Sequence, residues 1–195
     1  EKFAALSIEM QQYYEDNVQP ESEYRRKLHF RGLLQRAIED NVIRRPFEIV
    51  ITGSTISGVG TKNSDCDMCI CAPGISGVRP DDCDDHDWKS LQKFAFLDTL
   101  RRCEKWLKKT RELGITHIQL TPAMVPILTI HARCEDPVSG EVAMVEVDLS
   151  VYDNQFISGL HNSVLIKGYT KCDPRFAPLV VFIKKWAGAN GVKDP

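Results

Sequence analysis

Apolar residues recur at two different spacings along this chain, and the changes of spacing mark out its helices and strands. Residues 1–18 carry Phe3, Leu6, Met10 and Tyr13 or Tyr14 at helical spacing, and Pro20 closes the run. A second helical stretch covers about 21–40, with Tyr24, Leu28 and Ile38 on or near one face. From Phe47 to Thr52 the period falls to two, so Phe47, Ile49 and Ile51 share one side of a strand. Gly53 and Ser54 end that strand, and a short helix or loop leads to a second one at 65–71. Residues 72–87 read as a loop, with Pro73, Gly74, Gly77 and Pro80 followed by an acidic run. A long helix is predicted over 88–110, its apolar stripe made by Phe96, Leu100, Cys103 and Leu107. Segments 115–121, 124–132 and 141–152 are strand-like, with a turn at 135–140. Helices at about 158–170 and 174–189 close the chain. Strands with few crossover helices, followed by helices, predict an α+β fold.

Composition narrows the setting. The chain has 195 residues, enough for a sizeable core, and no apolar run approaches the roughly 20 residues of a membrane span. It starts without an initiator Met and without a signal-peptide layout, which reads as a piece of something longer. Seven cysteines at irregular spacings do not form a disulfide framework, so a reducing, intracellular compartment is expected. A net charge of −2 disfavours a module that grips nucleic acid on its own.

Candidate chemistry concentrates in Gly53-Ser54 and in Asp65-Cys66-Asp67. A strand running into Gly-Ser and a helix start presents backbone N–H groups and a hydroxyl, a seat for phosphate oxygens. Asp65 and Asp67 are two apart on a strand, so both carboxylates leave one face, with Cys66, Met68 and Ile70 on the other. Neighbouring carboxylates repel, and a divalent cation relieves the repulsion. Two such ions about 3.5–4 Å apart can clamp the attacking and leaving oxygens of a phosphoryl displacement. Hard oxygen ligands point to Mg²⁺ or Mn²⁺. The segment Val145-Glu146-Val147-Asp148-Leu149 offers another carboxylate, and its spacing leaves Glu146 and Asp148 equivalent.

Gly53-Ser54, the Asp65-x-Asp67 pair eleven residues after Ser54, and a distant Asp148 among apolar residues together resemble the DNA polymerase β-like nucleotidyltransferases. The closing stretches His161-Asn162-Ser163-Val164-Leu165 and Pro178 to Ala187 resemble cytoplasmic RNA-tailing enzymes, in particular poly(A) polymerases of the germline-development type. The resemblance implies a palm with a mixed sheet flanked by helices (41–176), and part of a helical central domain (177–195). Helices within 1–40 are expected to pack with that domain. It further implies that Asp65, Asp67 and Asp148 hold the metal ions, that Gly53, Ser54 and Lys184 meet the triphosphate, and that Asn162 and Ser163 meet the ribose. Some relatives carry a second lysine where this chain has Gly188. The implied substrates are ATP and an RNA 3′ end, with an RNA-binding adaptor protein as partner in the cytoplasm. A terminal uridylyltransferase and an inactive scaffold are the competing expectations.

Blander readings apply elsewhere. Gly53-x4-Gly58 lacks the Lys-Ser/Thr pair of a Walker loop. Cys66 and Cys69 point to opposite faces of a strand and suit no common zinc ion. The acidic run 81–87 reads as a solvated loop. The basic residues Arg101, Arg102, Lys105, Lys108 and Lys109 read as a solvated helix face.

Overall fold

A computed structural model describes residues 2–153 and 158–192. A five-stranded mixed sheet forms its centre. The strands are β1 (Glu48–Ile51), β2 (Cys66–Cys71), β3 (Ile115–Thr121), β4 (Ile127–Glu135) and β5 (Val142–Tyr152). Their order is β1-β2-β5-β4-β3. β2 and β5 run parallel, whereas β1 with β2, β5 with β4, and β4 with β3 run antiparallel. The α+β class and the mixed sheet expected from the sequence are both present.

Helix α1 spans Lys2–Asn17 and helix α2 spans Glu21–Asn41. α3 is a single turn, Ser54–Ser57. α4 (Asp85–Leu107), α5 (Ser158–Cys172) and α6 (Phe176–Ala189) follow, with a 3₁₀ turn at Arg111–Leu113. α2 and α4 cover one face of the sheet. Phe30, Leu34 and Ile38 of α2, at successive helical turns, join Leu100, Cys103 and Leu107 of α4 against Met68, Ile130 and Val147. Each such fully buried side chain contributes about 1.5–3 kcal/mol of hydrophobic stabilisation. The buried stripe of α2 therefore runs through Phe30, Leu34 and Ile38. Leu28, expected beside Ile38, is exposed.

Two boundaries move, and one helix face is less buried than its pattern predicts. α4 begins at Asp85 because the Asp84 side chain accepts the Asp87 N–H at 2.8 Å, so the end of the acidic run is a helix cap and first turn. β4 begins at Ile127, after Pro126, rather than at Met124. α1 buries little of its expected face: Phe3 is 87% exposed and Leu6 42%. Its C-terminal half packs on α6, where the rings of Tyr13 and Phe182 meet edge to face at 6.3 Å. Cys66 lies in the main core and Cys69 in a small cluster with Cys71, on the other side of β2. No helix among the described residues is long and apolar enough to cross a membrane.

Candidate active site

The parallel pairing of β2 with β5 sets Asp67 directly opposite Asp148. Strand alternation sends Cys66, Met68, Val147 and Leu149 into the helix-covered core. Asp67 and Asp148 therefore leave the sheet on its other face, half-buried. Asp65 stands one residue ahead of β2 and is exposed. Thr129 of β4 is the register partner of Asp148, and its hydroxyl donates to Asp148 Oδ1 at 2.7 Å. Glu146 shares that face, but its carboxylate is turned to His131 Nε2 at 3.5 Å. The carboxylates that act on Asp67 are Asp65 and Asp148.

Gly53 is the point where the chain passes closest to this group. Its φ of +72° and ψ of −154° suit glycine alone. A Cβ placed there would lie 2.0 Å from Asp67 Oδ2, so the carboxylate occupies the space a side chain would need. The Thr52 N–H donates to the Asp67 carbonyl at 2.9 Å, which holds the end of β1 against the start of β2. The Gly53 N–H donates to Ser163 Oγ at 2.7 Å, and that hydroxyl donates in turn to the Gly159 carbonyl. Ser163 is thus buried and reaches the site through Gly53, while its neighbour Asn162 is exposed. Ser54 opens α3 beside Gly53, half-buried.

Electrostatics bind these parts together. Burial pushes the Asp67 carboxyl above the usual carboxylate range, and the negative charges of Asp65 and Asp148 push it further the same way. Lys184 of α6 and Lys27 of α2 pull it back. Two lysines do not offset three carboxylates, two of them half-buried, and all the available donors are hard oxygens. That combination fits a divalent cation. A cleft of about 480 Å³ opens between the palm and the α1–α6 pair, with Asp65, Glu146, Lys184, Lys185, Tyr13 and Asn17 on its walls. A larger hollow of about 640 Å³ beside β1 and α5 is lined by Phe47, Val50, Cys71 and Leu160 and brings no carboxylate pair together.

A second acidic group lies far along the chain, where Asp84, His86 and Asp87 bring ligand atoms within 4.8 Å of one another on an exposed surface. Asp84 is already the cap of α4 there. The basic residues at the end of α4 and just beyond it are exposed, with Lys108 paired to Glu104 at 2.8 Å and Arg102 donating to the Val42 carbonyl.

One residue near the site escaped sequence reasoning. Lys27 is 1% exposed, and its ammonium lies 2.7 Å from both Gln19 Oε1 and the Ser64 carbonyl and 2.8 Å from Glu23 Oε1. The signal was present in the helical pattern: carrying the Phe30-Leu34-Ile38 stripe one turn back arrives at Lys27, a charge where an apolar residue is expected.

A sheet of this order, with a glycine-serine turn at the end of β1 and paired aspartates on β2 and β5, defines a nucleotidyltransferase palm. Comparison with known proteins agrees and narrows the class. Residues 6–171 match the family described as poly(A) RNA polymerase, mitochondrial-like, central palm domain, and the chain belongs to that family. It is 30% identical over 164 residues to poly(A) RNA polymerase GLD2-A of Xenopus laevis, covering 84% of this chain and 27% of that protein. The chain thus spans about a quarter of that curated relative. Among solved structures, the GLD-2/RNP-8 complex aligns with a TM-score of 0.69 at 26% identity, covering 93% of this chain and 59% of that one. The Cid1 poly(U) polymerase bound to MgATP aligns over 98% of this chain and 50% of its own, with a TM-score of 0.66 at 22% identity, and shares the fold.

Proposed function

We propose that this chain is the catalytic palm of an RNA nucleotidyltransferase that adds adenylate from ATP to RNA 3′ ends. The observation that carries the reading is the register of Asp67 against Asp148, with Gly53 cut away to admit the Asp67 carboxylate. Membership of a poly(A) RNA polymerase palm family supplies the substrate class. In the reaction the RNA 3′ oxygen attacks the α-phosphorus of ATP in line. The new O–P bond forms as the bond to the bridging oxygen breaks, and pyrophosphate leaves with the electron pair.

Asp65, Asp67 and Asp148 would hold the divalent ions, Mg²⁺ or Mn²⁺. Such ions, when bound, supply charge stabilisation at the attacking and leaving oxygens. Asp148 sits on the face where the 3′ hydroxyl must approach and would help it lose its proton, its orientation fixed by the Thr129 hydroxyl. Lys184 on the cleft wall would neutralise the departing pyrophosphate. Gly53 and Ser54 would meet the triphosphate and Asn162 the ribose, with Ser163 holding Gly53 in place.

α1 and α6, which pack on each other rather than on the sheet, would belong to a helical second domain that closes over the nucleotide. α2, packed against the sheet, extends the palm N-terminally. A net charge of −2 leaves little intrinsic attraction for RNA, and the GLD-2 structure was solved with RNP-8. Both support an enzyme recruited to RNA by an RNA-binding adaptor.

The test is nucleotide addition to a labelled RNA oligomer by a full-length protein, offering ATP, UTP, GTP and CTP separately. An ATP ladder that disappears in a folded Asp67→Asn variant is expected. A UTP ladder would move the reading to a uridylyltransferase. Silence with every nucleotide, adaptor included, would leave a scaffold.

A further inference from the structure

We propose that Lys27 is a positioning residue for this site: its buried ammonium holds the backbone of Ser64 and Asp65 so that Asp65 stands beside Asp67 and Asp148. The inference rests on the reading of these three aspartates as the metal-binding group.

An ammonium has three protons. Lys27 donates to Gln19 Oε1 and to the Ser64 carbonyl, each at 2.7 Å, and its charge pairs with Glu23 Oε1 at 2.8 Å. Longer contacts reach Ser64 Oγ at 3.4 Å and the Asp65 carbonyl at 3.5 Å. A lysine retained only to stabilise α2 would need no more than Glu23, one turn before it, and would remain on the surface, since burying a charge is costly. Lys27 instead points inward and ends on the backbone of the residue before Asp65 and on that of Asp65 itself.

The segment it holds needs holding. Asn63 has φ +58°, a left-handed conformation uncommon outside glycine. Its N–H donates to Glu23 Oε2 at 3.1 Å, so the Glu23–Lys27 pair grips this turn at two places. On the other side α2 is fixed to the sheet by Phe30, Leu34 and Ile38. The clamp therefore ties Asp65, which lies outside the strand ladder, to the rigid body that carries the other two aspartates. Lys27 touches no reacting atom, and it acts through Asp65.

Two effects of removing Lys27 have opposite signs, which makes the idea testable. Losing a nearby positive charge makes the site more negative and by itself tightens a divalent cation. Losing the clamp frees Asp65 and weakens the cation, because removing supports behind metal ligands costs about 10–100-fold in affinity or activity. The clamp predicts the second.

The experiment uses the full-length protein as wild type, Lys27→Met, Lys27→Gln and Glu23→Gln, each checked by thermal unfolding. Binding of Mn²⁺ alone is followed by loss of the free-ion electron paramagnetic resonance signal. Amide exchange over 61–65 and nucleotide addition are measured in parallel. Folded Lys27→Met should bind Mn²⁺ about 10–100-fold more weakly and exchange faster at 61–65. Lys27→Gln, which still donates to the Ser64 carbonyl, should recover part of both, and stands in if the Met variant does not fold. Glu23→Gln keeps an acceptor for the Asn63 N–H but loses the charge pairing with Lys27, and should weaken Mn²⁺ binding by less than Lys27→Met does. Unchanged or tighter Mn²⁺ binding with unaltered exchange in a folded Lys27 variant would overturn the proposal. If the wild type binds Mn²⁺ through Asp67 yet adds no nucleotide, the functional reading fails while the clamp is still measured.

Discussion

Replacing Gly53 by alanine adds one carbon atom at the most crowded point of the site. Two effects then combine. Alanine at φ +72°, ψ −154° sits in a backbone region populated almost only by glycine, at a cost of about 1–3 kcal/mol. The new Cβ also begins 2.0 Å from Asp67 Oδ2 and 3.0 Å from its Cγ. The carboxylate must retreat by about 1 Å merely to reach the closest contact that carbon and oxygen tolerate. A misplacement of about 1 Å in a catalytic group lowers rates by roughly 100-fold. Gly53→Ala is therefore expected to lose about 1–3 kcal/mol of stability and two orders of magnitude in nucleotide addition. Gly58→Ala separates the effects. Its φ is +84°, costing about 1–2 kcal/mol, but its nearest neighbour is Thr170 Oγ1 at 3.3 Å, away from the carboxylates. Chemical denaturation gives the stability of both variants, and single-nucleotide extension of an RNA oligomer gives the rate. Gly58→Ala should fall in stability and keep most of its rate. If Gly53→Ala extends RNA as fast as wild type, or if both variants slow equally, the claim that Asp67 requires that space is wrong.

Further outcomes follow from individual contacts. Thr129→Val removes the hydroxyl that orients Asp148 and should slow transfer by about 10–100-fold with little change in the melting temperature, measured by the same extension assay. Ser163→Ala leaves the Gly53 N–H without its acceptor and should cost about 1–3 kcal/mol in denaturant titration. Asp136 is buried under Arg25, whose guanidinium donates to it at 2.7 and 2.9 Å and holds its carboxyl well below the usual carboxylate range. A depressed folded-state pKa stabilises above the unfolded value near 3.9, and the contribution is lost as pH falls through the lower folded value. Acid unfolding followed by circular dichroism should therefore show a shallower acid limb for Asp136→Asn than for wild type; equal limbs would mean the pair contributes nothing.

Much of this architecture was legible because local patterning and chemistry agree. Ile49 and Ile51 alternate into the core as a period of two demands, and Gly53 marks the end of β1 in sequence and in space. The Asp65-x-Asp67 spacing predicted a shared face without knowledge of what the face would meet. Asp148 was different. Its choice over Glu146 depends on which residue the parallel register places opposite Asp67, a pairing between segments far apart in the chain. Turn chemistry was read too loosely at Pro126, where the missing N–H delays the start of β4. The acidic run hid a helix cap at Asp84, because carboxylates suit both a solvated loop and a helix start. Lys27 stayed hidden since a lysine on an amphipathic helix ordinarily faces water, and only the fold shows what lies beneath it.

β5 also governs the order in which this sheet can assemble. Among the described residues it is the last strand in chain order and the central one in the sheet, flanked by β2 and β4. During synthesis the β1–β2 pair and the β3–β4 pair can each form from neighbouring segments, whereas β5 must wait and then join them. Asp148 arrives only with that strand. A nascent or half-folded chain therefore carries Asp65 and Asp67 without the third carboxylate, and on the proposed reading it would engage metal and nucleotide only once the sheet has closed. If the three aspartates serve the proposed reaction, competence is coupled to the completion of folding, and an unfinished palm would be an inert one.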